Sequence, residues 1–200
     1  MLAIGLTGGI ASGKSVIRRH LEERSVETLD ADLVVHDLFA AKTVVTEALE
    51  ARFGPGVVTP NGSIDRKALG AIVFKDEKAR KDLEAIVHPA VSEAIEAFLK
   101  EAKKKGESLA VVDAALMYET GSYERYDLVI VTYCPSDLQK KRLMQRDHLS
   151  SEEADKRIAA QMPIAEKKLR ADYVIDTSTA IAATLKRTDE VLEQLLAKIR

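Results

Sequence analysis

Short unbroken apolar runs alternate along this chain with longer stretches whose apolar positions recur every three or four residues. The runs at 2–7 (LAIGLT), 26–29, 109–112 (LAVV), 128–133 (LVIVTY) and 173–175 read as strands buried on both faces, as in a parallel sheet. The periodic stretches read as helices: KSVIRRHLEER after the first run, then 44–53, 76–105, SDLQKKRLMQRD, EEADKRIAAQM and 180–199. In the last of these, Ile181, Leu185, Leu192, Leu195, Leu196 and Ile199 are expected on one buried face. Within 76–105, Leu83, Ile86, Val87, Ala90, Val91, Ala94, Ile95 and Phe98 form an apolar stripe. Pro89 stands in its middle and predicts a break or restart at His88-Pro89. Caps are expected from Ser63 or Asp65, from Ser136, and from Ser150 or Ser151, where Ser151 with Ala154 makes an incomplete capping box. Strand-helix alternation predicts an α/β fold with a parallel sheet flanked by helices. No convincing strand lies between Leu33 and Lys105, which predicts a helical insertion there.

Between the first apolar run and the first helix stands GGIASGKS, Gly8 to Ser15, which fits G-x-x-x-x-G-K-[ST]. A loop that turns its backbone N–H groups onto a polyphosphate needs tight or left-handed backbone angles. Gly8, Gly9 and Gly13 are read as supplying them. Lys14 places a cation on the β- and γ-phosphates, the Ser15 hydroxyl suits Mg2+, and the following helix adds its N-terminal N–H groups. Strand, glycine-rich loop and helix together make this a P-loop NTPase-type fold. The candidate ATP-binding residues are Gly9, Ile10, Ala11, Ser12, Gly13, Lys14, Ser15 and Val16, with Ser15 the candidate metal ligand.

Bulk properties narrow the function classes. The chain has 200 residues, 46% of them hydrophobic and 31% charged, with net charge −2. That balance gives no basic surface for nucleic acid, and with no Trp and 4% aromatics base-stacking platforms are unsupported. No apolar run approaches the ~18 residues of a membrane helix. The single cysteine, Cys134, follows an apolar run and is expected to be a buried thiol. The N-terminus enters a strand at once, so a cytoplasmic protein is expected, a monomer or weak homo-oligomer.

The phosphate loop does not say what is done with the nucleotide. A guanine-specifying N-K-x-D and a D-x-x-G switch are both missing from the sequence, which argues against a switch GTPase. A nucleic-acid motor would bring a larger core and a basic surface. A small-molecule kinase remains. Phosphoryl transfer then needs a group at the acceptor hydroxyl, charge on the transferring phosphoryl and exclusion of water. Asp32 follows the second strand, one element after the loop; it either orients the acceptor or caps the helix that follows. Asp30 is read as a cap or supporting group. Arg142 and Arg146, four apart, share one helix face and suit triphosphate oxygens, or form a solvated basic face. Asp113, at a strand end, either reaches Mg2+ through water or binds backbone.

The stretches IGLTGGIASGKSVI, LDADLVVHDL, IDRKALGAIVF, IVHPAV, VVDAALMYE, QKKRLMQRD, RIAAQM and ADYVID, in this order over essentially the whole chain, resemble the bacterial dephospho-CoA kinase family. The resemblance implies ATP-dependent phosphorylation of the ribose 3′-hydroxyl of dephospho-CoA. It implies a nucleotide-binding core (1–32, 107–139 and 164–200), a helical CoA-substrate domain (33–106) and a lid (140–163). Asp32 matches the acidic residue at the acceptor hydroxyl. Arg66, Phe74, His88 and Glu119 fall in substrate-side motifs, and Arg142 and Arg146 match lid arginines. Lys14 and Arg142 join Asp32 as the catalytic set. The chain departs from the family pattern at three places. Ala115, Met117 and Tyr118 replace part of D-x-P-L-L-F-E, Thr177, Ser178 and Thr179 replace an Asn- and Gly-containing loop, and Ser25 replaces a helix-ending Gly.

Overall fold

The protein is described by a computed structural model covering residues 1–40 and 42–199. Five strands form one sheet: β1 (Leu2–Gly8), β2 (Glu27–Asp30), β3 (Leu109–Asp113), β4 (Leu128–Tyr133) and β5 (Tyr173–Asp176), in the order β2-β3-β1-β4-β5. β1 runs parallel to β3 and β4, and β4 parallel to β5. β3 is buried along its whole length, which is why its sequence is an unbroken apolar run rather than an alternating one.

Helices α1 (Lys14–Glu23) and α9 (Ile181–Ala197) contribute Ile17, Leu21, Val191 and Leu195 to a core built on Ile4, Leu6, Val111, Ile130 and Ile175 of the sheet. Full burial of each such side chain stabilises by roughly 1.5–3 kcal/mol. The buried face of α9 runs through Thr184, Thr188, Val191 and Leu195. This corrects the expected stripe: Ile181 is exposed, and Thr188 is buried because its hydroxyl donates to the Thr184 carbonyl at 2.9 Å. Cys134 is fully buried, and that burial pushes its thiol pKa up.

By internal contacts the chain divides into Met1–Leu29 with Leu99–Arg200, and Asp30–Phe98. The second unit carries α2 (Ala31–Ala40), α3 (Val44–Phe53), α4 (Arg66–Val73) and most of α5 (Glu77–Lys104), around Phe39, Leu49, Val57, Leu69 and Val87. α5 is continuous through Pro89, contrary to the expected break. A helix-interior proline costs ~3 kcal/mol. Here Ile86 and Val87 before it and Ala90 and Val91 after it pack on one core, and holding both sides in register offsets that cost.

The caps also differ in detail. Asp65 caps α4 by accepting from Lys67 and Ala68 N–H. Pro135, not Ser136, precedes α6 (Ser136–Asp147), so that helix start has no side-chain cap. α7 (Ser151–Ala159) opens on a complete capping box of Ser150 and Glu153, one residue earlier than the incomplete one expected. A further short helix, α8 (Ile164–Arg170), follows. Ser25 has φ 59, the left-handed slot where a helix-ending glycine is at ease.

On the other side of β1, Tyr126 and Met117 lie against Gly5, where a β-carbon would come within 2.9 Å of the ring and 2.6 Å of the Met117 sulfur. The Tyr126 hydroxyl is buried without a hydrogen-bond partner among the described residues, and burial pushes its pKa up to about 12. Tyr126→Phe deletes that unsatisfied donor. It is expected to raise stability by about 1 kcal/mol, read as an upward shift of the thermal midpoint. A lower midpoint would show that the hydroxyl has a partner in solution.

Candidate active site

β1 ends at Gly8 and α1 begins at Lys14, so the phosphate loop is the whole connection between them. Its left-handed residues are Ala11 (φ 58) and Gly13 (φ 87). Of the three glycines expected to supply tight or left-handed angles, Gly13 is left-handed, and Gly8 and Gly9 are not. Their lack of a side chain is required by close approach instead. A β-carbon on Gly8 would overlap the Thr132 hydroxyl and lie 2.8 Å from the Thr132 carbonyl oxygen; one on Gly9 would overlap the Gln139 amide. Ser12 anchors the loop to β4 through a 2.6 Å hydroxyl contact with Thr132.

Gly13 sits at the N-cap of α1 and offers no side-chain cap. The first-turn N–H groups of α1 therefore meet no side-chain acceptor at the cap, the arrangement that suits a phosphate. Lys14 pairs with Asp113 at the end of β3, and Arg18 Nε lies 3.3 Å from the other carboxylate oxygen. Asp113 is almost completely buried, so two cations compensate one desolvated carboxylate beside the loop.

A cavity of about 340 Å3 opens beside this helix start. Ala11, Gly13, Ser15 and Val16 form one wall; Arg142 and Arg146, one turn apart on α6, form a second. Thr177, Thr179, Ile181 and Thr184 close the far side. The Arg142 guanidinium donates to the Thr177 carbonyl at 2.7 Å and to its hydroxyl at 3.3 Å. The Thr177 hydroxyl in turn donates to the Ser12 carbonyl at 2.6 Å. Phosphate loop, β5 end and α6 are thereby tied into one frame. Arg146 is held by Asp147 at 2.7 and 3.1 Å. The hydrogen bond from Arg146, with the charges of Arg146 and Arg157, keeps the Asp147 carboxyl below the usual carboxylate range. The structure thus brings six of the residues singled out in the sequence, Ala11, Gly13, Ser15, Val16, Arg142 and Arg146, around one cavity.

The candidates outside the loop and α6 are not among the residues that line this cavity. Asp32 is exposed in the first turn of α2, and Asp30 caps that helix by accepting from Asp32 and Leu33 N–H at 3.0 and 3.1 Å. Arg66 opens α4 with its guanidinium 5.5 Å from the Phe39 ring centroid. Phe74 ends α4 almost fully exposed, and His88 is exposed on α5. Glu119 lies in the first unit, in the loop after β3. It accepts from Met162 N–H at 2.8 Å and from the buried Lys167 ammonium at 2.8 and 3.0 Å.

Thr177, Gln139, Gln161 and Lys167 are not among the residues the sequence singles out for the site. Thr177 stands out in the sequence only as a departure from a pattern. Lys167 sits in EKKLR, which reads as a solvated face. Gln139 lies in a stretch read for Arg142 and Arg146, and Gln161 at the end of one read only as a helix.

The family model described as Dephospho-CoA kinase matches residues 2–183. The chain belongs to the dephospho-CoA kinase family. A dephospho-CoA kinase of Geobacter sulfurreducens is 44% identical over 191 residues, 96% of this chain and 97% of the relative. Among solved structures, a dephospho-CoA kinase from Campylobacter jejuni is 32% identical with TM-score 0.75, covering 98% of each chain. A protein of Thermus thermophilus is 33% identical with TM-score 0.84, covering 100% of this chain and 98% of its own. One departure from the dephospho-CoA kinase pattern, at Ala115, has local compensation. The Ala115 carbonyl, in place of a rigid proline turn, accepts from Lys167 Nζ at 2.8 Å and from the Thr7 hydroxyl at 3.3 Å.

Proposed function

We infer that this protein transfers the γ-phosphoryl group of ATP to the ribose 3′-hydroxyl of dephospho-CoA, giving coenzyme A, and does so in the cytoplasm. The observation that carries this is the cavity walled by the phosphate loop and two arginines, in a chain of this family.

Within this reading, the triphosphate lies along Gly9–Val16, with N–H groups of the loop and of the first turn of α1 donating to its oxygens. Lys14 leaves Asp113 for the phosphates, while Arg18 keeps the buried Asp113 compensated. Arg142 and Arg146 neutralise charge spread over the transferring phosphoryl; Arg142 is already oriented by Thr177. Val16, Ile181 and the threonine wall receive the base. Asp32 orients the acceptor hydroxyl and takes its proton. Arg66, Phe74, His88 and Glu119 serve the dephospho-CoA side. Of these, Glu119 acts by holding the loop it belongs to. Residues 140–163 act as a lid that keeps water from the reacting phosphoryl.

The oxygen donors present fit Mg2+. Ser15 lines the cavity, and the Asp113 carboxylate would serve the ion through water once Lys14 has moved to the phosphates. Among the described residues no cluster of three His, Cys, Asp or Glu could hold a metal alone, as suits an ion carried largely by phosphates. When bound, Mg2+ neutralises the phosphate oxygens.

Mass spectrometry of dephospho-CoA incubated with the protein, ATP and Mg2+ tests the reading. The expected product carries one added phosphoryl group at the ribose 3′ position. ATP consumed instead against a nucleoside or nucleotide panel, with dephospho-CoA untouched, would overturn it.

A further inference from the structure

Both backbone polar groups of Ile10, at the tip of the phosphate loop, are held by glutamine side chains from outside the loop. Ile10 N–H donates to Gln161 Oε1 at 2.7 Å, and Gln139 Nε2 donates to the Ile10 carbonyl at 3.1 Å. Gln139 rises from α6 and is almost fully buried, packed so closely on Gly9 that no β-carbon fits between them. Gln161 lies in the short junction between α7 and α8.

That junction is itself fixed. Met162 N–H, next in sequence, donates to Glu119 Oε1 at 2.8 Å. The same carboxylate pairs with Lys167, whose side chain is 0% exposed and which also donates to the Ala115 carbonyl. Burial pulls the Lys167 pKa down against the Glu119 contact, which raises it. A fully buried ammonium persists only where its acceptors are fixed, so residues 161–167 are seated on the loop after β3.

The residue that follows Ile10 explains what the clamp is for. Ala11 has φ 58, a conformation disfavoured for a residue with a β-carbon. The Gln139 bond fixes the peptide plane between Ile10 and Ala11, the Gln161 bond fixes the plane before it, and Ser12 N–H, donating to the Gly9 carbonyl at 3.0 Å, fixes the plane after Ala11. The loop therefore keeps its phosphate-binding shape through the Gly9–Ser12 turn and these two side chains that hold Ile10 within it, rather than through glycine at this position.

We propose that Gln139 and Gln161 are positioning residues for phosphoryl transfer: by clamping Ile10 they hold Ala11 left-handed and keep the loop N–H groups aimed at the phosphates. The proposal rests on the kinase reading for its consequence in turnover, but not for its geometry.

Gln161→Met and Gln139→Met keep side-chain volume and remove the hydrogen-bonding group. Each is expected to lower kcat/KM for ATP by about 10–100-fold, with KM for dephospho-CoA and the thermal midpoint little changed. Gln161→Met is also expected to speed amide hydrogen exchange in the peptide spanning Gly9 to Ser12, a readout independent of any acceptor. Adding Ala11→Gly to Gln139→Met is expected to recover most of the loss, because glycine adopts the left-handed conformation without the clamp. A merely structural glutamine would give no such recovery. Unchanged ATP kinetics and unchanged exchange in Gln161→Met, or no recovery from Ala11→Gly, would overturn the clamp. Altered exchange in a protein that binds ATP yet never phosphorylates dephospho-CoA would overturn the kinase reading instead.

Discussion

Replacing Asp32 with Asn is expected to lower kcat by about 10²–10⁴-fold while leaving ATP binding intact. The substitution is nearly isosteric and removes the charge and the proton-accepting oxygen. It should not disturb the helix it stands on, because the α2 start is capped by Asp30, whose Oδ1 accepts from both Asp32 and Leu33 N–H. The alternative role for Asp32, helix cap, is thus already filled by its neighbour. The cavity proposed for ATP is lined from the other unit of the chain, by the phosphate loop, α6, the segment after β5 and α9. Calorimetric titration with ATP should give parental affinity, and steady-state turnover with dephospho-CoA should collapse. The loose transition state of phosphoryl transfer asks little early deprotonation, so the loss reflects orientation and charge as much as basicity. Near-parental turnover in Asp32→Asn would remove Asp32 from the reaction.

What the sequence discloses and what it conceals divide along the range of the forces involved. GGIASGKS is legible because its pattern, strand before and helix after, is local. The strands of the sheet are legible because burial on both faces writes itself as an apolar run. The continuity of α5 through Pro89 is not legible: the local cost of proline is visible in the sequence, but the core holding Val87 and Val91 together is not. Lys167 is hidden for the same reason. In EKKLR it looks solvated, and only the fold reveals a site built from Glu119 and the Ala115 carbonyl that admits an ammonium. Even within the loop, glycine was legible as a requirement but not its cause. The left-handed angle falls on Ala11, and Gly8 and Gly9 are there for space.

That distinction makes Gly8→Ala a damaging substitution despite its ordinary backbone angle. If Gly8 served only conformation, alanine would be tolerable, since Gly8 does not lie in the left-handed region. Its β-carbon would instead overlap the Thr132 hydroxyl, lie 2.5 Å from the Ser12 hydroxyl and approach the Thr132 carbonyl oxygen to 2.8 Å. Gly8 faces Thr132 in the register of β1 on β4, and β4 is held on its other side by β5, so the backbone cannot retreat. Relief must come from opening the Ser12–Thr132 contact that anchors the loop. The expected result is a loss of about 1–3 kcal/mol or more in urea denaturation, together with loss of measurable ATP binding. Gly9→Ala provides the contrast. Its β-carbon meets the far end of the Gln139 side chain, which can move, so stability should largely survive while the hold on Ile10, and with it turnover, is weakened. Adding Thr132→Ala to Gly8→Ala removes the hydroxyl overlap but not the carbonyl approach, so only partial recovery of stability is expected. Parental stability and ATP affinity in Gly8→Ala would mean that β1 and β4 sit farther apart at this point than the structure places them.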